Sequence, residues 1–311
     1  MLALAGRDNR LAWSLRALSI LEFVGLGYLG TRPSLGGGSA ALVFAWMLGG
    51  WIMLRLFVPL GSFAFKLALG DWPRATRGSL LRCLRVLALE SAWMARLYYW
   101  EQPWFSSDPR HVASNSRAPV ILVHGFLCNA ALWGPLRASD ALGDRSVVAV
   151  SFEPTYRHFA AQLQALGECV RQTLAVSRND RVVLVGHSMG GLLIRAFAAE
   201  FPERVAGVVC IAAPHHGTWF GNLVFGPENG PPSARAAWLR SFNARTGERI
   251  AVAAVNLWTG DDNIVIPARG SRLAHTEEVR LDRLGHMSAI ASKAGIEAIQ
   301  AALLKIDQRE L

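Results

Sequence analysis

Cysteine is scarce and shows no paired pattern. Of the four in 311 residues, Cys83, Cys128, Cys169 and Cys210, no two stand at a spacing that marks a zinc site or a disulfide framework. A disulfide-stapled scaffold and a structural zinc module are therefore excluded, and a reducing compartment fits. Cys210 lies in an apolar run, Val208 to Ala213, and reads as an inert core thiol. No internal repeat is evident either. No cleaved signal peptide is expected: Glu22 interrupts the first apolar region, and no Ala-x-Ala-like site follows it. Basic residues exceed acidic ones, 32 to 23, yet the excess is not spread as a nucleic-acid footprint. Residues 1–117 hold 13 basic and 6 acidic side chains, and the remainder is close to balance. Positive charge bordering long apolar stretches points to an anionic lipid surface and away from nucleic acid.

What is present falls into two parts, and the length suffices for one large domain plus an appendage. Ala17 to Gly30 is apolar except for Glu22. Ala40 to Leu54 is unbroken apolar, and after Arg55 the run resumes through Phe65. Thr31 to Gly38 between them is a turn by composition. About twenty apolar residues cross a bilayer as a helix. The second run is long enough, with Arg55 able to snorkel, whereas the first is marginal. A buried helix pair in a soluble protein is the alternative, against which the length of the second run argues. Arg7, Arg10 and Arg16 precede the first segment, Lys66, Arg74, Arg77, Arg82 and Arg85 follow the second, and the loop has only Arg32. The positive-inside tendency then predicts a transmembrane helical hairpin over 1–70 with both ends cytoplasmic. If the first segment does not span, the downstream domain faces the other side. Ser79 to Trp100 reads as a helix suited either to a membrane interface or to packing on the downstream domain. Residues 71–117 are thus an interfacial helix and linker, the linker being the Pro- and Ser-rich stretch Gln102 to Ala118.

From Pro119 the pattern alternates. Strands are predicted at Val120–Val123, Ser146–Val150, Arg181–Val185, Gly207–Ala212, Ala251–Leu257 and Glu277–Leu281. Helices are predicted at Phe159–Val176, Met189–Glu200, Ser233–Asn243 and Ser288–Leu304. Short apolar strands alternating with helices give a mostly parallel sheet covered on both faces.

The chemistry centres on Arg181-Val182-Val183-Leu184-Val185-Gly186-His187-Ser188-Met189-Gly190-Gly191. A β-branched strand ends at Gly-x-Ser-x-Gly and a helix follows, so the turn holds the serine Oγ out at the end of a sheet. A serine hydroxyl needs a base within hydrogen-bond reach, and the base needs an orienting carboxylate. His286, in the loop after the last predicted strand, can reach across the carboxyl ends of the strands. His275 precedes that strand and would lie at its other end. Asp261 and Asp262 both follow the penultimate strand, and spacing alone cannot choose between them. The oxyanion of an acyl-transfer intermediate needs two backbone donors. Met189 N–H and Phe126 N–H are the candidates, with Gly125 permitting close approach. His124 is expected to shape that loop, and His187 to point away from the chemistry.

Together these residues resemble the α/β-hydrolase superfamily, and within it bacterial lipases and esterases of the triacylglycerol-lipase type. The matching stretches are Val120-Ile121-Leu122-Val123-His124-Gly125-Phe126, Gly186-His187-Ser188-Met189-Gly190, Ala213-Pro214-His215-His216-Gly217-Thr218, Asp262-Asn263-Ile264-Val265 and Leu284-Gly285-His286. Ala213 is a departure, since relatives often carry Thr or Ser there. The resemblance implies a catalytic α/β-hydrolase domain over 118–311; within it the segment around 218–249 has no clear strand, carries Trp219, Phe220 and Trp238 among Gly and Pro, and reads as a cap- or lid-like insertion. It implies a triad of Ser188, Asp262 and His286, with Asp261 in reserve. The expected function is a membrane-tethered serine hydrolase of carboxylic esters, acting on lipid or other apolar substrates without a cofactor or metal. Acyl transfer and thioester cleavage use the same triad, and a non-catalytic membrane scaffold is the reading from another class.

Overall fold

In the computed structural model, residues 10–32, 39–71, 77–105, 110–111, 117–153, 158–225 and 237–310 are described. The Gly-rich turn at 33–38, the flanks Arg7 and Arg74, most of the linker and residues 226–236 of the insertion lie outside them.

Seven strands form one sheet: β1 (Arg110–His111), β2 (Val120–Val123), β3 (Val147–Ala149), β4 (Val182–His187), β5 (Val205–Ile211), β6 (Ala253–Trp258) and β7 (Glu277–Arg280), in the spatial order β1-β3-β2-β4-β5-β6-β7. All neighbours are parallel except β1, which pairs antiparallel with the edge of β3. The two-residue β1 lies in what reads as linker, and is too short to leave a strand-like pattern in sequence.

The strands are apolar on both faces because both are covered. Val120, Leu122, Val183, Val185, Val209, Ile211, Val255 and Leu257 face one core with Leu97, Ile299, Leu303 and Ile306. Ile121, Val123, Leu184, Val208 and Cys210 face the other with Leu166, Val170, Leu193, Ile194 and Phe197. Successive strand side chains alternate between faces, so each strand divides its residues between these two cores.

The predicted helix over 288–304 divides into Ser288–Ala291 and Lys293–Glu310. Ser292 is extended between them, and its hydroxyl accepts from Gly295 N–H at 3.3 Å. A Cβ at residue 295 would fall 2.2 Å from Ala289 O, so the tight junction requires glycine.

Among the described residues, three long helices precede the sheet, α1 (Arg10–Gly30), α2 (Ala40–Ala68) and α3 (Arg77–Arg96), and a short helical stretch over 97–104 continues α3. Among the described helices, only α2 is long and apolar enough to cross a membrane. α1 packs antiparallel on it at small residues: a Cβ at Gly50 would lie 2.4 Å from Leu26 Cδ2, and one at Gly30 would lie 3.3 Å from Val43 Cα. Arg55 does not snorkel as its sequence position suggested. It is buried, paired with Glu22 of α1 at 2.5 Å and set over the Tyr99 ring at 3.7 Å. Glu22, the residue that interrupts the first apolar run, is thus the counter-charge of the residue that interrupts the second. The outward faces keep Ile20, Leu21, Val24, Phe44, Met53 and Phe57 exposed. α3 is docked: Val86, Glu90 and Leu97 just beyond it are buried against the domain, while Leu80, Leu81 and Leu84 of its first turns are exposed.

Candidate active site

The site residues sit in loops at the carboxyl ends of strands, where open α/β sheets bind ligands. Ser188 follows β4 and caps the helix Met189–Glu200 with φ 55° and ψ −126°, left-handed backbone on a non-glycine residue. Such a conformation costs about 1–3 kcal/mol and persists only where its surroundings over-determine it. Here Ser188 N–H donates to Ile211 O and Ser188 O accepts from Gly191 N–H, both at 2.9 Å. The flanking glycines answer close approach: a Cβ at Gly186 would meet Gly190 O at 2.5 Å, and one at Gly190 would meet Val123 O at 2.3 Å. The Ala213 methyl lies 2.4 Å from where a Gly191 Cβ would be, so a small residue at 213 fits this turn.

The loop after β2 passes beside the serine, since a Cβ at Gly125 would stand 2.8 Å from Ser188 Cβ. Phe126 follows it, half-buried, and Met189 opens the helix on the other side of the elbow. His124 shapes this loop: its Nδ1 donates to Gly125 O at 2.7 Å and its Nε2 accepts from Phe152 N–H at 3.1 Å. Burial lowers its pKa to about 4, so it stays neutral in that role.

After β6, Asp262 is fully buried and meets His286 Nδ1 with both oxygens, at 3.1 and 3.0 Å. Its Oδ1 also accepts from Ile264 and Val265 N–H at 2.8 Å each. Asp261 turns elsewhere. Its carboxylate takes Arg82 of α3 at 2.6 Å and Arg283 N–H at 3.0 Å. Arg82, an interfacial cation by its sequence setting, is the counter-ion of that buried acid. Burial would depress the His286 pKa, but the Asp262 charge and hydrogen bond, with Glu90 farther off, leave it raised. No hydrogen bond joins Ser188 Oγ to the His286 ring among the described residues; such bonds are often long until substrate arrives.

His187 does not point away from this cluster. Its ring lies 4.6 Å from that of His286, and its Nε2 donates to His286 O at 3.1 Å. The elbow thus carries a brace for His286. His215 hydrogen-bonds Asn256 at 3.3 Å, and burial lowers its pKa to about 3. His275 is exposed in the turn before β7. Thr218 ties its segment to the acid loop through Ile264 O at 2.6 Å and Ile266 N–H at 3.0 Å. In the insertion, Trp238 stacks on Phe242 and abuts Phe159, which is ordinary packing.

Three residues near the site escaped sequence reasoning. Glu90 accepts from Met287 and Ser288 N–H at 2.7 and 2.9 Å. Asn263 accepts from His286 N–H at 3.1 Å and donates to Ser62 of α2 at 2.9 Å. The one local signal was Glu90 itself, a lone acid in an otherwise uncharged stretch, Val86 to Met94.

Residues 118–248 match the family model described as the alpha/beta hydrolase fold. The 1-acylglycerol-3-phosphate O-acyltransferase ABHD5 of Rattus norvegicus is 29% identical over 105 residues, 31% of this chain and 30% of that protein. A triacylglycerol lipase of Pseudarthrobacter phenanthrenivorans is 46% identical over 55 residues, 18% of this chain and 17% of that one. The chain thus spans less than a third of the length of either relative. Among solved structures, the mature Bacillus licheniformis lipase BlEst2 superposes with a TM-score of 0.51 at 16% identity, over 64% of this chain and 96% of that one. This is a likeness of fold. Sheet order and the family match together show the α/β-hydrolase fold in this part of the chain, with lipases and esterases among the proteins similar to it.

Proposed function

We propose that this protein is a membrane-tethered serine hydrolase that cleaves carboxylic esters, with lipid acyl esters as the substrate class. The observation that carries the reading is the buried Asp262 carboxylate on His286 Nδ1 at 3.0 Å, in loops beside the strained Ser188 turn. Ser188 Oγ attacks the ester carbonyl carbon as its proton passes to His286 Nε2, and Asp262 stabilises the imidazolium formed. The carbonyl electrons move to oxygen, where Phe126 and Met189 N–H donate. The C–O bond then breaks, and His286 gives the proton to the departing alcohol. Water attacks the acyl-serine, loses its proton to His286, and the acid leaves as Ser188 regains that proton. The insertion around 218–249, beginning at Trp219 and Phe220, supplies apolar lining for the acyl chain.

In this reading α2 spans the membrane and α1 lies against it as the second arm of a hairpin. The Glu22–Arg55 pair supports this, because mutual neutralisation lowers the cost of both groups in a bilayer. Arg16 Nε donates to Pro103 O at 2.7 Å, and Asp71 beyond α2 accepts from Ala268 N–H at 2.8 Å. The open ends of the hairpin therefore lie on the same side as the hydrolase domain, which the basic flanks assign to the cytoplasm.

The test is fluorophosphonate labelling of the full-length chain in detergent, with turnover of p-nitrophenyl esters. Wild type is labelled at Ser188, and Ser188→Ala loses label and turnover by on the order of 10⁴-fold or more. Near-wild-type turnover by that variant refutes the assignment. The matched acyltransferase relatives favour a second reading, in which an alcohol replaces water at deacylation. Ester product formed in competition with free acid, when an acceptor alcohol is supplied, distinguishes the two.

A further inference from the structure

We propose that the helices ahead of the hydrolase fold belong to the catalytic machinery, and that Glu90 of α3 is the positioning residue for His286. The inference rests on reading His286 as the base.

Three side chains from the N-terminal helices reach the two loops that carry Asp262 and His286. Ser62 of α2 accepts from Asn263 Nδ2 at 2.9 Å, and Asn263 Oδ1 accepts from His286 N–H at 3.1 Å. Arg82 of α3 binds Asp261, the neighbour of the acid, with two nitrogens at 2.6 to 3.2 Å. Glu90 spans the next two peptides after the base, one carboxylate oxygen on Met287 N–H and the other on Ser288 N–H. Bonds from an ionised acceptor are the strong ones. Glu90 has no exposed surface, so water and salt do not screen it. The loop is shaped to admit it, since a Cβ at Gly285 would fall 2.6 Å from Glu90 Oε2.

The backbone of His286 is therefore pinned from three directions. Its N–H is held through Asn263 by α2, its carbonyl by His187 of the elbow, and the peptides that follow by Glu90 of α3. Two of the three holds originate outside the hydrolase fold. The sheet and its helices build the elbow and the acid loop, while the orientation of the base depends on segments that also carry the membrane helix.

Glu90 also acts through its charge. The groups facing it are His286, Asp262 and the buried Tyr98. Those facing His286 are Asp262, Glu90 and the neutral His187. A carboxylate within reach of the imidazolium stabilises it as it forms, in the same sense as Asp262. Burial and the neighbouring Asp262 charge leave the Glu90 pKa raised, against the two peptide N–H groups and His286, which lower it.

The experiment compares wild type, Glu90→Gln, Glu90→Ala and Ser62→Ala as full-length chains in detergent. Thermal melting, kcat and KM across pH, and ¹³C-histidine NMR titration of His286 are measured. Glu90→Gln keeps the shape but loses the charge and turns an amide donor toward a peptide N–H. The expected result is a kcat lower by about tenfold to a hundredfold, with KM within about twofold. The acidic limb of kcat/KM and the His286 titration both move to lower pH. Ser62→Ala lowers kcat in the same direction by less. Glu90→Ala shows the same pattern in whatever fraction remains folded. Wild-type kcat and an unmoved His286 titration in Glu90→Gln overturn the proposal. So does a fall in activity that tracks only the loss of folded protein while the titration stays in place. If instead Ser188→Ala retains turnover, the serine-hydrolase reading fails, and the His286 titration still judges Glu90 independently.

Discussion

Exchanging each of two adjacent carboxylates for its amide separates catalysis from stability. In Asp262→Asn, the side-chain oxygen is pinned by what the structure already places on Oδ1, the N–H groups of Ile264 and Val265 at 2.8 Å. The amide nitrogen must then occupy the Oδ2 position, 3.0 Å from His286 Nδ1. An NH₂ there donates, so Nδ1 becomes the acceptor and the ring proton moves to Nε2. A base with its proton already on the nitrogen facing the nucleophile accepts nothing. The expected loss in kcat is on the order of 10³ to 10⁴-fold, about 4 to 5.5 kcal/mol of transition-state stabilisation. Stability changes little, because both peptide bonds to Oδ1 survive. Asp261→Asn does the reverse. It weakens the ion pair with Arg82, whose side chain is 28% exposed and can turn to water, while an amide oxygen still accepts from Arg283 N–H. The expected cost is about 1–3 kcal/mol of stability, with kcat within about tenfold of wild type. Steady-state turnover of p-nitrophenyl esters and thermal melting of both variants in the same detergent form the assay. A larger kcat loss in Asp261→Asn than in Asp262→Asn refutes the reasoning.

Other outcomes follow from the same geometry. Gly190→Ala places a methyl 2.3 Å from Val123 O and 2.7 Å from His124 O; both are backbone atoms, so a stability loss of at least about 2 kcal/mol is expected by thermal melting. The acidic limb of kcat/KM lies above the ordinary histidine value of about 6.5, because the carboxylates around His286 outweigh its burial; a limb well below 6 contradicts this. His124 and His215 are held neutral by burial, with pKa values of about 4 and about 3. The unfolded chain takes up protons below about pH 6.5 that the folded chain does not, so stability should fall as pH drops from there toward 3, as urea titrations at several pH values would show. Burial pushes the Cys128 and Cys210 thiols up to about 12, so iodoacetamide at neutral pH modifies them only after unfolding, as mass spectrometry would read.

The parts of the fold that sequence reveals are those whose cause is local. β4 and β5 are legible because their residues are β-branched and buried on both faces, and the elbow because Gly186 and Gly190 leave no room for side chains. The break at Ser292 had its signals, a cap residue and a glycine three positions on, but a periodic apolar pattern runs through both helices and conceals it. Spacing does not choose between Asp261 and Asp262; the one local signal is the resemblance of Asp262-Asn263-Ile264-Val265 to the family pattern. Both lie in one loop, and what distinguishes their surroundings is Arg82, which arrives from 179 residues away. The orientation of His187 lacks a local signal for a similar reason. The variable position of the elbow says nothing of the His286 carbonyl 99 residues later that takes its Nε2 proton.

Long-range polar pairs of this kind decide more here than the apolar pattern does. An apolar contact tolerates a shift of a few tenths of an ångström, since many small attractions share the load. A buried carboxylate aimed at two peptide N–H groups does not, because each misplaced bond leaves a charge without compensation in a medium that screens poorly. Glu22 with Arg55, Arg82 with Asp261 and Glu90 with the peptides after His286 therefore set the register of α1, α2 and α3 against one another and against the domain. Hydrophobicity makes α2 suited to a bilayer, but any of several rotations about its axis would serve that purpose equally. Ser62 on Asn263, Lys66 on Asp71, and Asp71 on Ala268 N–H select one. A helix required only as an anchor needs no such selection. That α2 has it, and that its contacts end one residue from Asp262, is the physical reason to treat α2 and the candidate active site as one structure.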